Sequence, residues 1–256
     1  MTPAIQLGLA AAVLAAAIAG GVAQSPGVPS QERQTALALE QQGQFAQAEA
    51  AWRAVLKAYP NDPEGYAHLG LLEARQEHYE AAVPLYQKAL AMDPGMREVR
   101  LDLGLSQFKS GQLKAAIETF SLLLKSAPPT SPEAARLTTL IGVAHYGLGE
   151  YAAAVPYLKK VTESDPQNLP YRLLLAQSCM WSKQYQCVLD TYHQILLLNP
   201  ESAEAHMLAG EAYDELKNVA GATEEFRAAV QADPKTPYAH FGLGYLLWGQ
   251  NKLAEA

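Results

Sequence analysis

The chain has 256 residues, 49% of them hydrophobic but only 8% aromatic, and its 19 Lys and Arg against 26 Asp and Glu leave a net charge of −7. A surface for nucleic acid needs a basic stripe, and the longest basic cluster is Lys159-Lys160, so that class of partner is excluded. No GxSxG, Walker, HExxH, EF-hand or CxxC pattern appears. Pairs such as Glu224-Glu225 and Asp214-Glu215 read as helix-surface charge, so the chain is read as non-catalytic, without metal or cofactor.

Residues 1–31 carry no charged side chain, and Ile5 to Ala19 is an Ala/Leu/Val/Ile run broken only by Gln6 and Gly8. Ala17-Ile18-Ala19 and Gly21-Val22-Ala23 offer small-x-small cleavage sites, and Gln24 to Ser30 reads as an extended linker. Residues 1–23 are therefore expected to be a signal peptide, and the protein to be exported, periplasmic or secreted. No Lys or Arg precedes the run. The alternative is a membrane anchor, since Ile5 to Val22 is just long enough to span a bilayer. Membrane contact is expected only through this segment.

From residue 31 onward the chain repeats. Pro60, Pro94 and Pro128 are 34 residues apart, Pro166, Pro200 and Pro234 keep the interval, and only the step from Pro128 to Pro166 differs, at 38. A fixed period in this range marks one small unit stacked many times. Within residues 63–94, Tyr66, Leu69, Tyr79, Ala82, Val83, Tyr86 and Ala89 recur at three- and four-residue steps on both sides of the polar break Gln76-Glu77-His78. Two helices joined by a turn account for that pattern. Gly70, Gly104, Gly142, Ala176, Gly210 and Gly244 recur on the first helices, and Ala82, Ala116, Ala154 and Ala222 twelve residues later on the second. A helical glycine costs about 1 kcal/mol against alanine, so its recurrence implies close helix packing, small residue against small residue. Asp93-Pro94, Asp165-Pro166, Asn199-Pro200 and Asp233-Pro234 stop the second helices. Pro84 and Pro156 are expected near a first turn, where a missing N–H had little or no partner.

The units resemble the tetratricopeptide repeat (TPR) family over about residues 30–256. The resemblance implies an all-α fold, a right-handed superhelical solenoid of helix-turn-helix hairpins at about 31–62, 63–96, 97–130, 135–168, 169–202, 203–236 and an incomplete 237–256. The first unit is degenerate: Ala36, Gly43, Phe45, Ala48 and Trp52 fit, in Gln-rich surroundings that suggest a capping hairpin. The four extra residues of the long step are placed in the loop Pro128 to Pro132. In the last unit Tyr238, Gly244, Leu253 and Ala256 match before the pattern stops inside a second helix. The sequence is thus expected to be part of a longer protein.

In TPR proteins the first helices line a concave face, which implies a protein or peptide partner there. Carried onto this chain, that face holds Leu101, Leu105 and Phe108; Val143 and Tyr146; Leu173, Gln177, Met180 and Trp181; and Met207. Tyr238, Phe241, Tyr245 and Trp248 continue it, and Glu204, Glu211, Asp214 and Glu215 make an acidic patch. Phe108, Tyr146, Met180 and Trp181 are the expected apolar anchors, with Glu211 and Glu215 selecting basic partners. The family's clamp for acidic tails needs Lys, Asn and Arg where this chain has Ala67, Leu101, Thr139 and Leu173, so that clamp is absent. The alternative function is the soluble arm of a larger cell-envelope export or polysaccharide-assembly protein.

His206 and His240 are 34 residues apart, about one helix diameter in stacked repeats, too far to share a metal. The other four histidines lack metal spacing and read as structural. Cys179 and Cys187 flank the turn Ser182 to Tyr185, which puts them on opposite arms of one hairpin, within reach of a disulfide. An exported protein favours the bond, and two free thiols in the core are the alternative.

Overall fold

The computed structural model describes residues 30–250, so the expected leader, residues 24–29 of the linker, Leu253 and Ala256 lie outside the described residues. Among those described there are thirteen helices and no strand. The chain forms two compact units. The first holds α1 (Ser30–Gln41), α2 (Phe45–Ala58), α3 (Pro63–Arg75), α4 (Tyr79–Met92) and α5 (Arg97–Lys109). The second holds α6 (Leu113–Ser126), α7 (Pro132–Gly147), α8 (Tyr151–Ser164), α9 (Leu169–Trp181), α10 (Tyr185–Leu198), α11 (Ala203–Glu215), α12 (Val219–Ala232) and α13 (Pro237–Gly249). Within each unit every helix packs on the next, and α3 also meets α5 in the first. In the second, α11 meets both α9 and α13. No helix of the described residues is long and apolar enough to cross a membrane.

Four of the first helices, α3, α7, α9 and α11, begin on side-chain caps. Asp62 accepts from the Gly65 N–H at 3.2 Å, Ser131 from Ala134 at 3.1 Å, and Ser202 from Ala205 at 3.3 Å. Pro63 and Pro132 occupy the first helical position, where a missing N–H has no intrahelical partner to lose.

Each hairpin turn carries one residue in the left-handed region. Three are glycines, Gly43, Gly111 and Gly149, but Glu77, Lys183 and Lys217 take the same conformation at φ 62°, 60° and 63°. A side chain there crowds the following carbonyl. Lys217→Gly is therefore expected to raise stability by about 0.5–1 kcal/mol, net of the entropy that glycine restores to the unfolded chain. A Tm no higher than that of the parent would overturn this.

The four extra residues fall differently from the sequence reading. The connection 127–131 is only one residue longer than the neighbouring ones, and the other three lengthen α7 to 16 residues where α9 and α11 have 13. Ser131 and Pro132 form a strong helix start, so the chain turns helical at the earliest place it can. Pro84 and Pro156 are likewise the sixth residues of α4 and α8, beyond the first turn, yet both helices run on unbroken. Each removes one interior hydrogen bond; the Glu80 side of α4 is exposed, so water can take up the freed carbonyl.

The small residues also act differently from the expectation. Ala82, Ala116, Ala154 and Ala222 are fully buried. Yet what lies over Gly70 and Gly210 is an aromatic ring, not a small side chain. A Cβ on Gly70 would stand 2.8 Å from the Tyr86 ring, and one on Gly210 3.0 Å from Phe226. Gly242 presses on the same Phe226 ring from α13, where a Cβ would come within 2.7 Å.

The first unit has a polar centre. Arg33 of α1, its side chain 8% exposed, pairs with fully buried Asp62 and reaches Glu64 at 2.6 Å. Burial pushes the Glu64 carboxyl up more strongly than Arg33 pulls it down. Beside them Trp52 donates its indole N–H to Glu40 at 2.5 Å, and the ring stacks on His68 with centroids 4.5 Å apart. The His68 Nδ1 lies 3.0 Å from the same carboxylate.

Candidate functional site

In the second unit α9, α11 and α13 lie side by side, and their exposed faces enclose a groove of about 520 Å³. Its α9 side is Met180 and Trp181, continued by Lys183 in the following turn and Tyr185 at the start of α10. Its α13 side is Tyr238, Phe241 and Tyr245, spaced by three and four residues and so on one helix face. Phe226, Gly242 and Leu246 line it between, and α11 contributes Glu211, Asp214 and Glu215. Trp181 is 66% exposed and Phe241 74%, unusual for residues of that size. Phe241 stacks on Tyr245 at 6.5 Å, and Trp248 follows at 6.4 Å from Tyr245.

Of the face expected from sequence, Met180, Trp181, Glu211, Asp214, Glu215, Tyr238, Phe241 and Tyr245 line this groove. Met180 is itself buried. Tyr146 and Gln177 stand outside its lining and are held by each other: the Tyr146 hydroxyl donates to Gln177 Oε1 at 2.5 Å, and Gln177 Nε2 donates to Glu204 Oε1 at 2.6 Å. Tyr146 also meets Tyr151 edge-on at 5.5 Å, and Tyr151 stacks on Trp181 at 6.1 Å. The pair thus supports the Trp181 ring at second hand. Val143 is buried, Leu173 half-buried, and half-buried Met207 packs against Ala222 and Phe226. In the first unit Leu101, Leu105 and Phe108 are half-buried on α5. That unit's own cavity, about 590 Å³, is lined instead by residues such as Leu37, Glu64, His68, Met96 and Val99.

Electrostatics in the groove follow from burial. Burial holds the Glu211 carboxyl above its ordinary value. Burial, then a hydrogen bond to Glu215, raises the Tyr185 hydroxyl. A carboxyl raised in the folded state gives stability that is full below its unfolded value and is lost as pH rises through the folded value. Glu211→Gln is accordingly expected to raise Tm at pH 7, and the gain to shrink as the pH falls through the raised folded value and the parent's own carboxyl takes up its proton. An equal gain across that range would sink the assignment.

Cys179 on α9 and Cys187 on α10 have Cα atoms 5.8 Å apart, within the span of a disulfide, and their sulfurs are joined in the structure. They bracket the segment from Trp181 at the end of α9, through Lys183 in the turn, to Tyr185 at the start of α10. No group of His, Cys, Asp and Glu among the described residues is arranged to hold a metal ion.

Models of the tetratricopeptide repeat match residues 73–141 and 145–212, and also 33–97, 189–237 and 222–256. Among curated proteins the chain is similar to BBSome complex member BBS4 of Bos taurus, 23% identical over 216 residues that make up 84% of this chain and 40% of that protein. It is also similar to DnaJ homolog subfamily C member 3 of Homo sapiens, 23% identical over 78% of this chain and 42% of that protein. The chain spans less than half the length of these relatives. Among solved structures it resembles YrrB, described as a TPR protein with an unusual peptide-binding site, with a TM-score of 0.59 and 20% identity over 75% of this chain and 96% of that one.

Proposed function

We propose, since this chain belongs to the tetratricopeptide repeat family, that it is a non-catalytic scaffold holding a protein or peptide segment in the groove of its second unit. The observation that carries this reading is the pair of exposed aromatic walls, Trp181 on α9 facing Tyr238, Phe241 and Tyr245 on α13. Apolar surface of this kind, rimmed by charge, suits an extended or helical segment with apolar anchors. The described peptide-binding site of YrrB, a protein of like fold, is in keeping with it. The test is to pan a displayed random-peptide library on the full chain and measure the selected peptides against Trp181→Ala and Phe241→Ala. Loss of about tenfold or more in affinity supports the groove, since buried aromatic anchors dominate such contacts. Selected peptides that bind both variants as tightly as the parent would place the partner elsewhere.

The second part of the proposal is export, favoured by the uncharged apolar stretch at residues 5–19 and by the cysteine pair within bonding distance. Intact mass from the native host, with and without alkylation, checks it. A chain lacking residues 1–19 or 1–23, with neither cysteine alkylated, agrees with export. An uncleaved chain with two alkylated thiols overturns it.

A further inference from the structure

The groove proposed above has a chemistry more particular than apolar. Three carboxylates, Glu211, Asp214 and Glu215, line it together with one ammonium, Lys183, so among the described residues its charge is negative. All three carboxylates stand on α11, between the aromatic edge of α9 and the aromatic face of α13. A purely apolar segment laid across them would cover charge and offer nothing in return, which costs several times what an apolar contact contributes. An aromatic face beside a carboxylate is instead the environment that favours an organic cation. The ring attracts positive charge through its quadrupole, and the carboxylate completes a charge-assisted hydrogen bond. A guanidinium serves both groups at once, being planar, weakly hydrated and forked.

We infer that the occupant of this groove presents an arginine side chain, flanked by apolar residues, to the space between Trp181, Glu211 and the α13 aromatic face. The apolar neighbours of that arginine lie on Tyr238, Phe241 and Leu246, and its guanidinium lies toward α11. Burial of Glu211 agrees with this placement, because an incoming cation restores the ionised carboxylate that burial disfavours. This inference rests on the reading of the groove as a peptide site.

The experiment compares two peptides on the full chain by titration calorimetry, acetyl-Leu-Leu-Arg-Leu-Leu-amide and the same peptide with citrulline, which keeps the planar shape of arginine but carries no charge and has a carbonyl oxygen in place of one terminal nitrogen. The arginine peptide is expected to bind about tenfold more tightly, the size of one desolvated cation contact. In the double variant Glu211→Gln and Glu215→Gln the two peptides should come within about twofold of each other. Equal affinities in the parent chain would overturn the cation site and leave the peptide groove standing. A preference for arginine that survives the double variant and Trp181→Ala would place the cation outside this groove and overturn the inference. Binding of neither peptide would remove the groove reading and this inference with it.

Discussion

Arg33→Ala is expected to lower the stability of the first unit by about 3–5 kcal/mol, a cost typical of removing one partner from a buried ion pair. The arginine is 8% exposed at its side chain and stands against an Asp62 carboxylate with no exposure at all. Asp62 also caps α3 through the Gly65 N–H. Without the guanidinium, the cap carries a buried charge that has lost its arginine and stands beside Glu64, itself a carboxylate. Restoring neutrality should recover part of the loss, so Arg33→Ala with Asp62→Asn is expected to be more stable than Arg33→Ala alone. Urea unfolding followed by circular dichroism measures both. A loss under about 1 kcal/mol would put this pair in the class of exposed surface bridges and refute the burial argument.

The second large effect lies in the second unit. Phe226→Ala is expected to cost about 3–5 kcal/mol, as for other buried aromatic truncations. The size follows from its surroundings. The ring is 5% exposed and sits against two glycines, Gly210 and Gly242, which have no side chain to move into the space it leaves. The residual cavity therefore stays large, and cavity volume sets the cost. Calorimetric unfolding reads the loss. Because Phe226 also lines the groove, peptide affinity should fall with it. A variant that unfolds within about 1 kcal/mol of the parent would mean that α11, α12 and α13 collapse onto the gap.

These two sites differ in how far the sequence announced them. Gly210 repeats a position held by Gly70, Gly104 and Gly142, so its close contact was legible from spacing, although the ring that fills the contact was not. Gly242 has Leu208 and Leu174 at the equivalent places in the preceding units, so no periodicity pointed to it. Arg33, Asp62 and Glu64 were silent for a different reason. They join the first hairpin, where the repeat pattern is weakest, to the cap of the next, and a charge on a helix looks the same in sequence whether water or Asp62 receives it. The groove was half legible. The tetratricopeptide resemblance put Trp181, Met180, Glu211, Asp214 and Glu215 on one face with Tyr238, Phe241 and Tyr245, and the groove lies among them. It could not tell that the Tyr146 hydroxyl and Gln177 would satisfy each other, because that depends on a distance across two helices. Nor could it tell which first helices would leave their aromatic residues uncovered.

The long α7 shows where such an array accepts new material. Its three additional residues precede the point at which α9 and α11 begin within their own repeats, and α7 ends in step with them at Gly147. The insertion adds about 4.5 Å of helix at the leading end and leaves the rotational phase of every later residue untouched. Placed mid-helix, three residues would have turned the packing face by about 60° short of a full circle and misaligned Gly142 from its contacts. The start of a first helix thus accepts added length, and is the natural place to graft a tag or a second binding module without disturbing the stack.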